Sequence, residues 1–174
     1  GIAAANQYNA CLGIEGIFDT EQEIRKRGMI SSGIGRAKNP IVEINSIRIG
    51  ILSVTTGCLN VDSVLTGEAT TRFLNIFDRE QTKNAIADLR RKEVEFILVY
   101  AHCGMNKKVM ELEERKAVAE AIAEMGADYV ICTGNREADL YYRYETADHR
   151  VVPVATSLGC FLTGKKTILS LKKS

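Results

Sequence analysis

The sequence predicts one α/β domain with a mixed sheet or two packed sheets, and three features indicate this class. Strand-like and helix-like segments alternate through the middle of the 174-residue chain. Hairpin patterns flank both ends of this alternation, unlike a simple doubly wound domain, whose sheet is mostly parallel. No repeat, low-complexity segment or change of composition marks a boundary. Residues 1–174 are therefore predicted to form a single domain.

Composition excludes several classes of function. Hydrophobic residues make up 45% and charged residues 26% of the chain, as in ordinary folded domains. The net charge is +1 without a basic cluster, so no nucleic-acid partner is expected. No apolar stretch approaches the ~20 residues that span a bilayer, so no membrane-spanning segment is expected. The five cysteines are widely spaced without a Cys-x-x-Cys motif, which favours reduced thiols and a cytoplasmic location.

The first third of the chain predicts a strand, a helix, a loop and a hairpin. Residues 1–6 form a short strand, and residues 14–27 form a helix that ends at Gly28. The Gly-x-Gly at residues 33–35 is predicted to be a plain turn, because a phosphate-binding loop needs a helix directly behind it. Apolar residues alternate on both sides of Asn45-Ser46, over residues 40–54, which is the pattern of a tight hairpin.

The middle of the chain predicts a long loop and two helices with a strand between them. Residues 55–72 lack periodicity, and Asp78 with Gln81 forms a capping-box pattern for a helix through Arg91. Residues 94–104 open as a continuous apolar run, which is typical of a strand buried on both faces. The second helix is predicted over residues 109–125, with an ion pair between Glu111 and Arg115. Its predicted apolar stripe is Val118, Ala121, Ile122 and Met125.

The last third predicts mainly strands. Residues 128–132 form a buried strand, and residues 141–145 and 150–155 form a hairpin around Ala147-Asp148. Residues 167–171 alternate as a final strand.

Three polar clusters follow apolar strands, at residues 6–9, 102–106 and 133–137. If these strands are neighbours, their ends converge on one edge of the sheet, where ligands bind in open α/β folds. The residue types suit a metal pair poorly, because such a site needs several Asp, Glu or His ligands. The candidate ligand-binding residues at this edge are Asn6, Gln7, Tyr8, His102, Asn106, Asn135 and Arg136.

Each candidate also has a structural interpretation. His102 is either a ligand or a hydrogen-bonded structural histidine, whereas His149 is expected to be exposed in a hairpin loop. Cys103 beside His102 is disfavoured as a nucleophile, since adjacent strand residues point to opposite faces. Tyr141, Tyr142 and Tyr144 form either a stacking platform or cross-strand packing. Arg136 either binds an anion or is simply solvated.

The order of several short motifs resembles the CapA family of poly-gamma-glutamate capsule biosynthesis proteins, which is similar to the calcineurin-like metallophosphoesterases. Residues 5–13 align without a gap on the family motif Ala-Asn-Asn-His-x-x-Asp-Tyr-Gly. Residues 100–106 resemble Ser-x-His-Trp-Gly-x-Glu, residues 126–131 match Gly-Ala-Asp-Leu-Val-Ile, and residues 156–161 resemble Tyr-Ser-Leu-Gly-Asn-Phe. The resemblance implies a metallophosphoesterase-like α/β sandwich that lacks its N-terminal portion, within a longer protein.

The departures from the family motifs bear on catalysis. The metal-binding Asn of the family falls on Gln7, its neighbouring His on Tyr8, and its Glu after the His-Trp-Gly on Asn106. The Gly-His-His-Pro-His block becomes residues 132–136, which contain no histidine. Of the family's metal ligands in this part of the sequence, only His102 is retained. The resemblance therefore implies a catalytically inactive copy, with no cofactor expected.

These observations lead to a main hypothesis and alternatives. The main hypothesis is a non-catalytic domain with an interaction, scaffolding or small-ligand role in capsule, poly-gamma-glutamate or cell-envelope biosynthesis. The alternative is a metal-dependent hydrolase, of phosphoesterase or peptidase type, whose remaining ligands come from an upstream segment or a partner chain. An anionic small molecule held by Arg136 and the Asn amides is a further possibility. The incomplete front predicts exposed sheet surface, and hence contact with the upstream segment or with a second copy. The family resemblance allows a cell-envelope location as an alternative to the cytoplasm.

Overall fold

The computed structural model describes residues 1–36, 38–57, 72–105 and 108–160, and within these it omits the side chains of residues 105, 108 and 109. A six-stranded sheet runs in the order β3-β4-β5-β8-β10-β9. Its strands are β3 (Ile41–Ile44), β4 (Ile47–Thr55), β5 (Phe96–His102), β8 (Tyr129–Thr133), β9 (Tyr141–Glu145) and β10 (Val151–Ala155). The four inner strands are parallel and the two edge strands are antiparallel, which confirms the predicted mixed α/β sheet.

The remaining strands form two short pairs. One pair is β1 (Ile2–Ala3) with β2 (Ser31–Ser32), in parallel, and the other is β6 (Gly104–Met105) with β7 (Lys108–Val109), antiparallel. The β1–β2 pair lies against the main sheet, where the Ser32 hydroxyl donates to the Ile51 carbonyl over 3.0 Å. The first strand therefore lies outside the main sheet, although its following loop still reaches the edge of that sheet.

Three helices complete the described fold: α1 (Gly13–Lys26), α2 (Arg79–Arg91) and α3 (Leu112–Glu124). The predicted cap of α2 is present, since the Asp78 carboxylate accepts a hydrogen bond from the Gln81 backbone N–H over 2.9 Å. Gly28 follows α1 with a φ of 67°, the left-handed conformation predicted for it. Local sequence signals therefore account for the C-terminal end of α1 and the N-terminal end of α2.

The hairpin of β3 and β4 turns at Asn45 and Ser46, as predicted. Both residues have positive φ, 52° and 65°, which is the two-residue turn that matches the twist of the flanking strands. Ile44 and Ile47 face each other directly across the turn.

One face of the main sheet is more deeply buried than the other. The prediction that residues 94–104 are buried on both faces is therefore wrong for the less buried face. Ile97, Val99 and Ala101 of β5 are fully buried in the core that α2 and α3 cover. On the opposite face Phe96 is 37% exposed, and Leu98 and Tyr100 are half-buried. The difference arises because this face packs mainly against the short β1–β2 pair.

The second predicted helix needs two corrections. It begins at Leu112, and the buried positions include Ala119, Ile122 and Ala123, whereas Val118 and Met125 are only partly buried. Arg115 also pairs with Asp139 and not with Glu111, whose carboxylate takes part in a capping box with Glu114. The buried face of α3 is therefore displaced by one position from the predicted apolar stripe, and this places Arg115 on the buried face.

Some predictions lie outside the described residues. These are most of the loop at residues 55–72, the final strand at residues 167–171, and Asn106. Within the described parts of the chain, no helix has the length and apolar character that crossing a membrane requires.

Candidate functional site

The candidate site lies at the carboxyl edge of the parallel strands, where β5 and β8 end side by side. His102 ends β5 and is paired in register with Thr133, which ends β8. The Thr133 hydroxyl lies 3.4 Å from Nδ1 of His102, and the Thr56 backbone N–H donates to the His102 carbonyl over 3.0 Å. The imidazole is therefore contacted by Thr133 of β8, whereas Thr56, which follows β4, holds the His102 backbone.

The loop after β1 supplies the second side of the site. Asn6 stabilises this loop locally, since its Oδ1 accepts from the Tyr8 backbone N–H over 2.8 Å and its Nδ2 donates to the Ala4 carbonyl over 3.1 Å. This turn directs Gln7 inward, where it is 9% exposed, and leaves Tyr8 55% exposed. Asn6 is thus a structural residue of the loop, and Gln7 is the residue that reaches the site.

Gln7 and His102 meet at Gly104. A β-carbon placed on Gly104 would be 3.3 Å from both Oε1 of Gln7 and Nε2 of His102. Each of these two atoms is buried and has no hydrogen-bond partner among the described residues. Since buried polar atoms are normally paired, two such atoms at one point indicate a place for a ligand or a bound water.

Gly134 closes the site from the β8 side. Its φ is 104°, and a β-carbon there would lie 3.0 Å from the Cys103 carbonyl oxygen and 3.3 Å from Cε1 of His102. Only a residue without a side chain lets the backbone pass this close to the imidazole.

The surroundings of His102 and Cys103 at this edge of the sheet favour the neutral forms of both side chains. Burial lowers the pKa of His102 below its ordinary value of 6.5, so the imidazole is neutral at pH 7. The neighbouring Cys132 thiol, together with burial, raises the pKa of Cys103. The Cys103 thiol stays protonated, which agrees with the sequence argument against a cysteine nucleophile.

The other sequence candidates that the structure describes are not brought to this point. Oδ1 of Asn135 accepts from the Glu137 backbone N–H over 3.5 Å, and Arg136 is exposed. Tyr8 is exposed, and Asn106 lies outside the described residues. The anion site formed by Arg136 and the Asn amides thus stays a prediction.

Two weaker motifs have structural explanations. The loop at Gly33 and Gly35 is a turn, and the Glu21 carboxylate lies against Gly35, with its Oε2 3.4 Å from the Arg36 backbone nitrogen. The hydroxyls of Tyr142 and Tyr144 donate to Glu120 and Glu124 of α3, each over 2.9 Å. These two tyrosines therefore fix β9 to α3.

Sequence reasoning missed one buried group that shapes the edge. Arg115 is 3% exposed and donates to the carbonyls of Thr156 and Met110 and to the Asp139 carboxylate. It thereby joins α3 to the segments that follow β8 and β10. The sequence signal that could have identified Arg115 as buried was helical spacing, since residues 115, 119 and 122 share a face of α3.

The donors that the structure describes at this edge do not fit the pair of divalent metal ions that the family resemblance implies. The two convergent atoms are a neutral imidazole nitrogen and an amide oxygen. Among the described residues, no group of three or more His, Cys, Asp or Glu side chains is arranged to hold a metal ion. Two neutral donors cannot offset the charge and dehydration of two divalent cations.

Comparison with known proteins supports the fold and gives the family. Among solved structures, the chain is similar to NAD nucleotidase of Haemophilus influenzae, with a TM-score of 0.51 and 12% sequence identity. The match covers 84% of this chain and 32% of that chain, so this chain spans about a third of its length. That structure has a metallophosphoesterase-type fold, and the similarity confirms the predicted fold class. A search of the curated proteins found no match. The model of the family described as bacterial capsule synthesis protein PGA_cap matches residues 1–164, and the chain therefore belongs to this family.

Proposed function

We propose that this domain serves bacterial capsule synthesis without catalysing a metal-dependent hydrolysis, as a binding or scaffolding domain. The observation that carries the proposal is the composition of the carboxyl edge, where one neutral imidazole and one amide converge at Gly104. Family membership supports the link to capsule synthesis. The poly-gamma-glutamate connection belongs to the same proposal.

The chemistry of hydrolysis explains why these residues favour a non-catalytic role. Phosphoester or peptide hydrolysis at a metal pair requires anionic ligands that hold two cations and lower the pKa of a bound water. Gln7 keeps an amide oxygen where the resembled family has a metal-binding Asn, but on a longer side chain, and Tyr8, which is exposed, stands where the family has a His. The described residues at this edge are suited to hydrogen bonding with a small polar ligand.

The test uses the whole chain and its matched histidine variants. Metal content is measured by plasma mass spectrometry after purification in Mn²⁺, and hydrolysis of bis-(p-nitrophenyl) phosphate and of glutamyl peptides is followed with Mn²⁺ present. We expect substoichiometric metal and hydrolysis no faster than buffer. A stoichiometric metal, or activity lost in His102→Ala and retained in His149→Ala, would contradict the proposal. His149 is the matched control because its side chain is 86% exposed.

One observation favours the alternative of a metal-dependent hydrolase completed by residues from elsewhere. Oε1 of Gln7 offers a lone pair, as does Nε2 of His102 in the tautomer that carries its proton on Nδ1, and both atoms lack partners among the described residues. Remaining ligands would then come from an upstream segment or a partner chain. Acidic Asp and Glu motifs in the coding sequence upstream of Gly1 would support this alternative, and a gene without them would count strongly against it.

Two observations bear on where the protein is located in the cell. The four cysteines that the structure describes are free, which favours the cytoplasm, and membership in a capsule synthesis family supports association with the cell envelope as the alternative. Fractionation of cells that produce the full-length protein distinguishes the two.

A further inference from the structure

The face of the main sheet opposite α2 and α3 carries a continuous apolar surface. Strand register and side-chain alternation place five exposed hydrophobic residues on this face, which we call the open face: Ile44, Ile47, Phe96, Tyr141 and Val151. Their exposed fractions are 55%, 47%, 37%, 59% and 58%. Half-buried Leu98, Tyr129 and Pro153 lie between them on the same face.

The β1–β2 pair covers only part of this face. A cavity of about 130 Å³ separates Ile2 and Ile30 of that region from Leu98 and Tyr100 of β5. Ile2 and Ile30 are themselves 37% and 42% exposed, so the apolar surface continues onto the β1–β2 pair. The part that the described residues leave uncovered reaches from Phe96, at the amino end of β5, to Tyr141, beside the carboxyl end of β10.

The size of the open face fits a protein interface. Its five residues and their half-buried neighbours expose roughly 700 Å², if fully exposed side chains present about 150–250 Å² each. The largest apolar patch of an ordinary monomer is about 300–600 Å². A standard interface buries about 800 Å² on each partner. The open face is therefore at the size at which a stable dimer becomes possible.

The open face carries one positive and one negative side chain on β9, and two copies of this pair can be complementary across a twofold axis. Arg143 and Glu145 lie on this same face of the edge strand β9, where Arg143 is opposite Pro153 and Glu145 is opposite Val151. Both are exposed, and the Glu145 carboxylate contacts Nδ1 of the equally exposed His149 over 2.9 Å. In a twofold contact, a residue that faces a given partner residue is faced by it in return. Arg143 of each copy can therefore pair with Glu145 of the other while the apolar residues meet between them.

We propose that the open face is the interface of a symmetric homodimer, in which two copies of this chain pack sheet against sheet. Sheets packed in this way stack about 10 Å apart with their strands aligned within about 30°. The interface is separate from the Gln7–His102 site, and the proposal holds whatever ligand that site binds.

The first test is the oligomeric state of the whole chain by sedimentation velocity across a range of concentrations. We expect a dimer that dissociates on dilution. Val151→Glu and Tyr141→Glu place a carboxylate within the apolar part of the open face and should each weaken dimerisation roughly 30-fold or more. Leu12→Glu, at a position 82% exposed beside α1, is the matched control and should leave the dimer intact. Circular dichroism of each variant checks that the fold is retained.

The second test uses the charge pair and does not depend on the apolar variants folding. Arg143→Glu and Glu145→Arg should each weaken the dimer, because each reversal places like charges opposite one another across the twofold axis. The double variant R143E/E145R should restore it. A chain that stays monomeric at its highest soluble concentration would overturn the proposal, and so would a dimer indifferent to all four substitutions.

Discussion

Oε1 of Gln7 and Nε2 of His102 lie on either side of Gly104, each 3.3 Å from the position of a β-carbon on that residue. They come from the loop after β1 and the end of β5, almost a hundred residues apart in the sequence. Buried polar atoms left without partners lower the stability of a fold, so their presence together is typical of a binding site.

Replacing Gln7 by Leu tests this interpretation through stability. Leu retains much of the volume and removes the amide oxygen, so the free energy of unfolding should stay unchanged or rise by up to about 1 kcal/mol. Urea unfolding followed by circular dichroism gives the value, with Gln22→Leu on the exposed side of α1 as control. A loss above about 1 kcal/mol would indicate that the oxygen accepts a hydrogen bond from a tightly held water or ligand.

Gly134 and Gly28 offer a matched pair for the close approach at the site. Both have positive φ, 104° and 67°, but a β-carbon at Gly134 meets the Cys103 carbonyl at 3.0 Å whereas nothing lies within 4 Å at Gly28. Gly28→Ala should lower the free energy of unfolding by about 1 kcal/mol through backbone strain alone. Gly134→Ala should lower it by about 2–3 kcal/mol, since the clash adds to the strain. Equal losses in urea unfolding would show that the backbone at Gly134 can move.

The sequence predicted those elements whose signals are local. Asp78 and Gln81 mark the start of α2, and Asn45-Ser46 marks the turn of the β3–β4 hairpin, because capping and turn chemistry act within four residues. The role of Arg115 could not be predicted in this way, since its partners Asp139 and Thr156 are 24 and 41 residues away. The convergence of Gln7 on His102 is equally non-local. An apolar run such as residues 96–101 also cannot reveal which face of its strand is covered.

Arg115 should be the most sensitive polar residue of α3. Arg115→Met removes hydrogen bonds from a buried guanidinium to two carbonyls and the Asp139 carboxylate, and should lower the free energy of unfolding by about 3 kcal/mol. Lys116→Met is the control, because Lys116 forms only a surface pair with Glu113 and its loss should change stability by less than about 0.5 kcal/mol. Similar losses for the two variants in urea unfolding would contradict the structural role of Arg115.

The two buried thiols should be unreactive in the native protein. Cys103 and Cys132 are both fully buried, and the pKa of Cys103 is raised by the adjacent Cys132 thiol and by burial. Iodoacetamide at pH 8 should therefore label exposed Cys160 quickly and leave Cys103 and Cys132 unmodified until urea unfolds the chain. Peptide mass spectrometry locates the label. Rapid native labelling of Cys103 would contradict its burial and would revive the cysteine nucleophile.

The buried imidazole of His102 should make stability depend on pH below neutrality. Its pKa is lowered in the folded state by burial, whereas in the unfolded chain it stays near 6.5. Between these two values the unfolded state binds more protons than the folded state, so the free energy of unfolding falls as the pH drops below about 6.5. The free energy of unfolding is therefore highest above that pH, and its decrease levels off only below the pKa that His102 has in the folded state. We therefore expect that urea midpoints measured from pH 7.5 to 5 fall more steeply for the wild type than for His102→Asn. His149→Asn, at the exposed position, controls for histidine removal and should keep the wild-type slope. Parallel profiles for the wild type and His102→Asn would contradict the lowered pKa of His102 in the folded state.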